Sequence, residues 1–308
     1  MDKLNVIMTG GTSGFGAITA NELLQSSNTR LLLGYRDKEI EGAEHIPLDL
    51  SSLKNVQSFV EDVKKRIGSE KIQVLICNAG MNQPDINTKT VDGFETTFAV
   101  NYLAHFYLVR LLSPHLDVNA KIIMTTSGTH DPEENAMAAP PKHANAMWLA
   151  YPEKDKTLDE KMTINAQRAY SSSKLCTILT VRYFNSTETA NKNKWQFIAF
   201  DPGATPGTGL LQKGTLFMRL AWQVFTIPIL RKRILPKSNS IQDSGVALAN
   251  IALGKIKVPL GKVYAALRAG MMTFPLPSKM AQEGDIMKKL WKDSEKLLLD
   301  AKFNLREF

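Results

Sequence analysis

The sequence predicts an α/β fold, a doubly wound parallel sheet of about seven strands with helices on both faces and a helical substrate lid. Three observations predict it. Short apolar runs bounded by turn residues alternate with stretches of helical apolar spacing along the 308 residues, the pattern of a parallel sheet buried on both sides. A glycine-rich turn follows the first apolar run and opens a helix. A Tyr and a Lys, Tyr170 and Lys174, stand four residues apart in a segment that reads as helix.

Leu4 to Met8 is the first strand, and Thr-Gly-Gly-Thr-Ser-Gly-Phe-Gly at Thr9 to Gly16 leads into a helix over Ala17 to Leu24. Glycines let the backbone turn tightly and approach a pyrophosphate, while the free N–H groups and dipole of a helix start favour negative charge. The spacing is Gly-x-x-x-Gly-x-Gly rather than Gly-x-Gly-x-x-Gly, and a plain glycine turn would read the same way. Leu31 to Leu33 is the second strand, leading to Gly34, Tyr35 and Arg36. At that strand end an acid reads a ribose 2′-hydroxyl and an Arg accepts a 2′-phosphate. Arg36 therefore argues for NADP(H), through a charge-assisted hydrogen bond worth about 1.5–3 kcal/mol. Asp37 follows directly and is the alternative inward residue. Lys38 to Glu44 leaves little room for a crossover helix before a third strand at His45 to Asp49, so Asp49 and Leu50 fall near the adenine edge.

Leu53 to Ile67 has helical apolar spacing at Leu53, Val56, Val60 and Val63. Ile72 to Ile76 is a buried strand ending in Cys77, Asn78, Ala79 and Gly80, small residues where a backbone passes close to something. Phe98, Tyr102, Phe106, Val109 and Leu112 form one stripe of a long helix with Asn101 beside it. An Asn in a helix interior is mildly unfavourable, so it is either solvated or placed for a hydrogen bond. Lys121 to Thr125 is the next strand and ends at Thr126 and Ser127. Residues 131–169 contain Pro132, Pro140, Pro141 and Pro152 and are too long for an ordinary connection, which makes them an active-site loop or a mobile insert.

Beyond the Tyr170 helix, Trp195 to Phe200 is a strand closing on Asp201, Pro202 and Gly203. Residues 204–237 are the most apolar irregular part of the chain and fall short of the ~20 residues a spanning helix requires. They read as a helical lid over an apolar substrate or, through 215–233 with Arg231, Lys232 and Arg233, as a peripheral membrane contact. Ser240 to Leu253 is a helix and Gly261 to Ala265 a last strand. Residues 285–303 form an amphipathic terminal helix with Ile286, Met287, Leu290, Leu297 and Leu298 inward. No repeat or low-complexity linker divides residues 1–308, which read as a single domain.

The hydrophobic content of 44% suits a globular core, and 38 Lys and Arg against 30 Asp and Glu give a net charge of +8. That balance permits contact with phosphates or anionic cofactors. No aromatic-studded basic stripe accompanies it, so nucleic acid is not an expected partner. Cys77 and Cys176 cannot build a disulfide framework, and neither they nor the five histidines show ligand spacing, so no metal site is expected. A reducing, cytoplasmic setting fits, since the first strand begins without a signal-type leader.

Residues at i and i+4 are neighbours on a helix, so Lys174 can favour the ionised form of Tyr170. A free phenol titrates near pH ~10 and each unit of lowering needs roughly 1.4 kcal/mol, a modest demand on one cation. A surface Tyr and Lys would show the same spacing. The glycine turn, Arg36, Asn78 to Gly80 and Ser127, however, all fall at carboxyl ends of strands, where such sheets place ligands. Asn101 and the Tyr170 helix can lean over the same edge, and the pieces converge on one cleft.

These pieces resemble the short-chain dehydrogenase/reductase superfamily, from Val6 to about Ala265. The residues that carry the resemblance are Thr9 to Gly16, Asn-Ala-Gly at Asn78 to Gly80, Asn101, Ser127, Tyr170-x-x-x-Lys174 and Pro202-Gly203. Within the superfamily, Cys77 to Ala79, Gly93 to Glu95, Asn101 to Phe106 and Tyr170 to Cys176 look most like the retinol dehydrogenase and light-dependent protochlorophyllide reductase branch. The short Lys38 to Glu44 connection and the 131–169 insert depart from the family pattern.

The resemblance implies a Rossmann-type oxidoreductase using NADP(H), with NAD(H) less favoured. It implies cofactor contacts at Gly10, Thr12, Ser13, Gly14, Phe15, Gly16, Arg36, Asp49, Leu50, Asn78, Ala79, Gly80, Tyr170, Lys174, Pro202 and Gly203, and catalytic roles for Asn101, Ser127, Tyr170 and Lys174. In reduction, Tyr170 protonates a carbonyl oxygen held by Ser127, Lys174 lowers the phenol's pKa and binds the nicotinamide ribose, and Asn101 anchors a relay water. Family members pair through the helices of Asn101 and Tyr170, so a homodimer or homotetramer is expected. Cys176 matches a cysteine that meets substrate in protochlorophyllide reductases, or is a small buried residue. Beside carbonyl reduction of an apolar small molecule stand two further readings: light-driven or other double-bond reduction of a large hydrophobic ring, and a non-catalytic NADP(H)-binding redox sensor.

Overall fold

A computed structural model of the chain describes residues 3–207 and 237–305. One sheet carries eight strands in the order β3-β2-β1-β4-β5-β6-β7-β8. They are β1 Leu4–Thr9, β2 Thr29–Tyr35, β3 Glu44–Pro47, β4 Ile72–Cys77, β5 Leu116–Thr125, β6 Gln196–Asp201, β7 Tyr264–Arg268 and β8 Met271–Thr273. The first seven are parallel, and β8 runs antiparallel to β7. The eighth strand exceeds the expected seven because three residues carry no periodic signal. It is turned back on β7 by Ala269 (φ 50°) and Gly270 (φ 79°). β7 starts later than the expected Gly261 because Lys262 N–H donates to the Pro259 carbonyl at 3.0 Å and closes a turn there.

Alternation along the strands explains why the sheet is buried on both faces. Ile7, Leu75, Cys77, Ile122, Met124, Phe197 and Ala199 enter one core cluster. Their neighbours Val6, Met8, Val74, Ile76, Ile123, Ile198 and Phe200 enter the other. The second cluster is closed by α1 Gly14–Leu24 and by α8 Ile241–Ala252. The first is closed by α2 Leu53–Ile67, by the run from α3 Thr96–Phe98 to α4 Ala104–Leu112, by α5 Ala146–Ala150, by α6 Met162–Ser186 with α7 Glu188–Lys192, and by α10 Gly284–Asp300, which follows α9 Lys279–Gln282.

No helix links β2 to β3. Ile40 and Ala43 pack instead against the α1-side cluster, and the Ile40 N–H donates to His45 Nε2 at 2.8 Å. The stretch 131–169 is a folded cover. Asn145 caps α5, and Asp159 pairs with Arg168 at 2.7 Å and Lys142 at 3.0 Å. Beneath it lies a small cavity lined by Glu95, Trp148, Leu158, Arg168, Ala169 and Ser172, among others, and neither Tyr170 nor Lys174 lines it. The expected lid at 204–237 and the membrane contact at 215–233 fall almost wholly outside the described residues. Among the described residues no helix is long and apolar enough to cross a membrane.

α10 packs against α4 and α6, the helices through which the resemblance implies pairing. Trp291 stacks on Tyr183 at 4.0 Å and stands edge-on to Phe106 at 5.0 Å and Phe184 at 4.9 Å. The Arg110 guanidinium lies 5.1 Å from the Trp291 ring and pairs with Glu295 at 2.6 Å. The Tyr102 hydroxyl meets Ser294 Oγ at 2.9 Å. Truncating such a buried ring forfeits its transfer energy and leaves a cavity. Trp291→Ala should therefore lose about 3–5 kcal/mol in urea unfolding; a loss within experimental error would show that α10 does not depend on this anchor.

Candidate active site

The strand order reverses at β1, so the crevice beyond its carboxyl end is the natural ligand position of such a sheet. The glycine turn leaves β1 there. Gly10 has φ +67°, and a Cβ at this position would lie 2.5 Å from the Ala79 Cα, so the turn crosses directly over the end of β4. At the start of α1, Ser13 makes no side-chain capping bond and the first turn holds no acidic residue. No acid within that first turn competes for those N–H groups, which suits a phosphate. Thr12 is half-buried and Ser13 exposed, while Phe15 and Gly16 are buried.

Asn78 ties the turn to the sheet. Its Nδ2 donates to the Gly10 carbonyl at 2.8 Å, and its Oδ1 accepts from Thr125 Oγ1 at 2.9 Å. Thr9 Oγ1 accepts from the Asn78 and Ala79 N–H groups at 3.0 and 3.1 Å, which leaves its own proton for His105 Nε2 at 2.9 Å. The opposite ring nitrogen, Nδ1, then donates to the Asn101 carbonyl at 3.2 Å. Burial lowers the His105 pKa to about 4, so the ring is neutral and this tautomer fits both partners.

Asn101 sits in a π-helical turn, Ala99–Leu103, inside an otherwise α-helical run. Such turns bulge a helix outward and gather at functional sites. The Asn101 side chain is largely committed: Oδ1 accepts from Met81 N–H at 2.8 Å, and Nδ2 donates to the Met81 carbonyl at 2.9 Å and Ser173 Oγ at 3.1 Å. The relay-water role expected of it rests on the remaining lone pair of Oδ1. Gly80 brings Asn101 and Lys174 together, since a Cβ there would lie 3.4 Å from Asn101 Oδ1 and 3.5 Å from Lys174 Nζ.

Lys174 is buried and its Nζ donates to the Thr125 carbonyl at 3.1 Å. Burial brings its pKa down to about 8, with the Asp201 carboxylate pulling the other way. The ammonium lies 5.5 Å from the centre of the Tyr170 ring. Ser127 Oγ accepts from Thr129 N–H at 3.3 Å, and its hydroxyl acts on the Tyr170 phenol. Burial pushes the phenol up, the Ser127 hydroxyl pulls it down, and the charge of Asp201 adds to the rise. Desolvation thus holds the phenol neutral, and the lowering by Lys174 expected from the i, i+4 spacing does not act on it.

The remaining expected residues lie at the margins. Arg36 is exposed at the end of β2. The Asp49 carboxylate accepts from Ser51 N–H at 2.9 Å and Ser51 Oγ at 2.7 Å, a turn leading into α2. Leu50 points into the core, which leaves its backbone for any ligand. The Pro202 carbonyl accepts from Asn239 Nδ2 at 2.8 Å, and Gly203 N–H donates to Asp201 Oδ1 at 2.8 Å. Sequence reasoning missed the roles of His105 and Asp201. Only the four-residue offset from Asn101 hinted at the first; the second depends on a cross-strand partner. Cys176 is wholly buried in the core beside α4, and its thiol is pushed up by desolvation.

A Ser and a Tyr hydroxyl beside a buried ammonium can deliver and recover a proton at a substrate oxygen. A protein-family model described as short chain dehydrogenase matches residues 4–139. Protochlorophyllide reductase B, chloroplastic, of Hordeum vulgare is 28% identical over 96% of this chain and 78% of its own length. The crystal structure of an uncharacterised protein of Mycobacterium paratuberculosis superposes with a TM-score of 0.67 at 23% identity, over 99% of this chain and 96% of that one. An alcohol dehydrogenase of the archaeon Thermococcus sibiricus, complexed with 5-hydroxy-NADP, does so with a TM-score of 0.57 at 18% identity, over 87% and 97%.

Removing the Asn78 side chain strands the Gly10 carbonyl and the Thr125 hydroxyl, at about 1–3 kcal/mol for a buried group left unpaired. Asn78→Ala should lower the unfolding free energy by that amount in denaturant titration, and an unchanged value would mean that the turn is held without it. The motif residues, the sheet and the relatives point the same way: the chain is similar to short-chain dehydrogenases over residues 4–139 and to protochlorophyllide reductases over nearly its whole length, and is an oxidoreductase.

Proposed function

We propose that the protein uses NADP(H) to interconvert a carbonyl and an alcohol on an apolar small molecule, with Tyr170 as general acid and base. The observation that carries the reading is the placement of Tyr170 beside the buried Lys174, with the Ser127 hydroxyl acting on the phenol, at the same strand edge as the glycine turn. The residues fit the cofactor. The Gly10 crossing leaves no room for a Cβ, the start of α1 is free of acids, and Arg36 stands exposed at the end of β2 where a 2′-phosphate would need a cation. The archaeal alcohol dehydrogenase complexed with 5-hydroxy-NADP supports the phosphate-bearing form.

NADPH, when bound, supplies the hydride. Tyr170, kept neutral by its surroundings, gives its proton to the developing alkoxide, and Ser127 holds that oxygen by a hydrogen bond. The Lys174 ammonium, positive below about 8, stabilises the phenolate left behind. Asn101 and His105 fix the floor of the cleft. The name of the barley relative favours reduction of a ring double bond as a second reading. Against it, Cys176, the cysteine expected to meet such a substrate, is wholly buried in the core.

A cytoplasmic setting and self-association belong to the same proposal. Because α10 packs against α4 and α6, the proposed oligomer forms through another surface. Tyr170→Phe removes the transferable proton and little else. NADPH oxidation with apolar aldehydes and ketones should fall by about 10²–10⁴-fold, while NADPH affinity in fluorescence titration stays at the wild-type value. Wild-type turnover in the variant would refute the role of Tyr170.

A further inference from the structure

We infer that Asp201 is a positioning residue for Ser127, Tyr170 and Lys174: clamped by Arg268 and Tyr264, it seats the turn that carries Ser127 and supplies the counter-charge for the buried Lys174 ammonium. Its catalytic consequence rests on the proposed reduction, whereas its geometry and charge do not.

The side-chain alternation of β6 sends Phe197 and Ala199 toward the α6 layer, and Asp201, two residues further, follows them. Asp201 is fully buried. A carboxylate there needs donors on every side, and three are present. Gly203 N–H meets Oδ1 at 2.8 Å, while Tyr264 O–H at 2.6 Å and Arg268 Nη2 at 2.7 Å meet Oδ2. Arg268 also pairs with Glu134 at 3.1 Å, which joins β7 to the segment just past Ser127.

The turn Gly128–His130 rests on this pair. A Cβ on Gly128 would lie 3.1 Å from Arg268 Nη2 and 3.3 Å from Asp201 Oδ2. The His130 ring stands edge-on to Tyr264 at 5.2 Å, and its Nδ1 lies 2.8 Å from the Ser127 carbonyl. Thr126 N–H donates to the Phe200 carbonyl at 2.7 Å. Ser127 is therefore fixed from the β6–β7 side. Buried ion pairs are often no more stabilising than apolar residues of the same volume, so fold stability alone does not account for one placed under a proton-transfer pair.

The groups around Lys174 give the sign of the effect. Tyr170 lies on its own helix, and neutral His105 on α4. The Asp201 charge acts on it from the end of β6, where Tyr264 and Arg268 of β7 hold that carboxylate and Glu134 pairs with Arg268. The Asp201 charge raises both Lys174 and Tyr170. It thereby holds the ammonium charged and the phenol neutral, the protonation state that reduction needs.

Carbon-13 NMR of lysine-Cε-labelled protein reads Lys174 without any substrate, its signal assigned by loss in Lys174→Met. In the wild type the midpoint should lie near 8, and in Asp201→Asn it should fall by about half a unit or more. Asp201→Asn combined with Arg268→Gln removes both buried charges and leaves no unpaired ion, so it keeps the test open where the single variant fails to fold; its midpoint should fall as well. NADPH oxidation by the same samples should lose kcat with KM little changed, and its alkaline limb should move to lower pH with the NMR midpoint. A lowered melting temperature with an unchanged Lys174 midpoint in the folded variants would assign Asp201 a purely structural role and overturn the inference. Absence of NADPH oxidation in the wild type would instead count against the proposed reduction and leave the NMR result standing.

Discussion

The hydroxyl of Thr9 is the contact on which the site depends. One oxygen accepts the Asn78 and Ala79 N–H groups and passes its proton to His105, which in turn bonds the Asn101 carbonyl. That single group joins the ends of β1 and β4 to the π-helical turn of Asn101. All of its partners are buried or nearly so, and an unmet donor or acceptor there would cost about 1–3 kcal/mol. The arrangement has few alternatives. With β1 and β4 locked, the glycine turn crosses Ala79 at van der Waals distance and the start of α1 is aimed at the crevice. Lys174 then finds the Thr125 carbonyl on the next strand.

Burial governs the chemistry of the cluster more than proximity does. The i, i+4 spacing places the Lys174 ammonium against the Tyr170 ring, yet desolvation raises the phenol and depresses the amine. Both shifts favour the neutral forms. The result is a proton donor that keeps its proton until charge develops on a substrate oxygen, beside a cation ready to compensate the phenolate. Asp201 moderates the depression of Lys174 from the neighbouring strand, so the state of the pair is set by three elements, α6, β5 and β6, rather than by one helix.

The fold and half of the site were legible because their signals are local. The glycine turn, the Asn78 to Gly80 run and the Tyr170–Lys174 spacing each lie within eight residues, and the strands of a sheet covered on both faces read as continuous apolar runs. The helix-free crossover after Arg36 was legible too, since Lys38 to Glu44 is too short for anything else. What escaped depends on pairing across the chain. Asp201 and Arg268 sit at the ends of adjacent strands, a neighbourhood that exists only once β6 and β7 are in register. The π turn around Asn101 follows an apolar stripe that reads as plain helix. β8 is too short to show a period, and the docking of α10 on α4 and α6 rests on Trp291 and Arg110, which helical spacing alone does not match to Phe106 and Tyr183.

Ser127, Tyr170 and Lys174 are proposed to reduce a carbonyl with NADPH and without light. Steady-state NADPH oxidation by the wild-type protein, followed in darkness over the alkaline range with a panel of apolar aldehydes and ketones, tests this role most directly. Turnover on at least one of them is expected, with a rate that falls as pH rises through about 8 and Lys174 loses its charge. Tight NADPH binding with no dark turnover on any carbonyl would contradict that role, as would a rate that stays level until the phenol itself ionises.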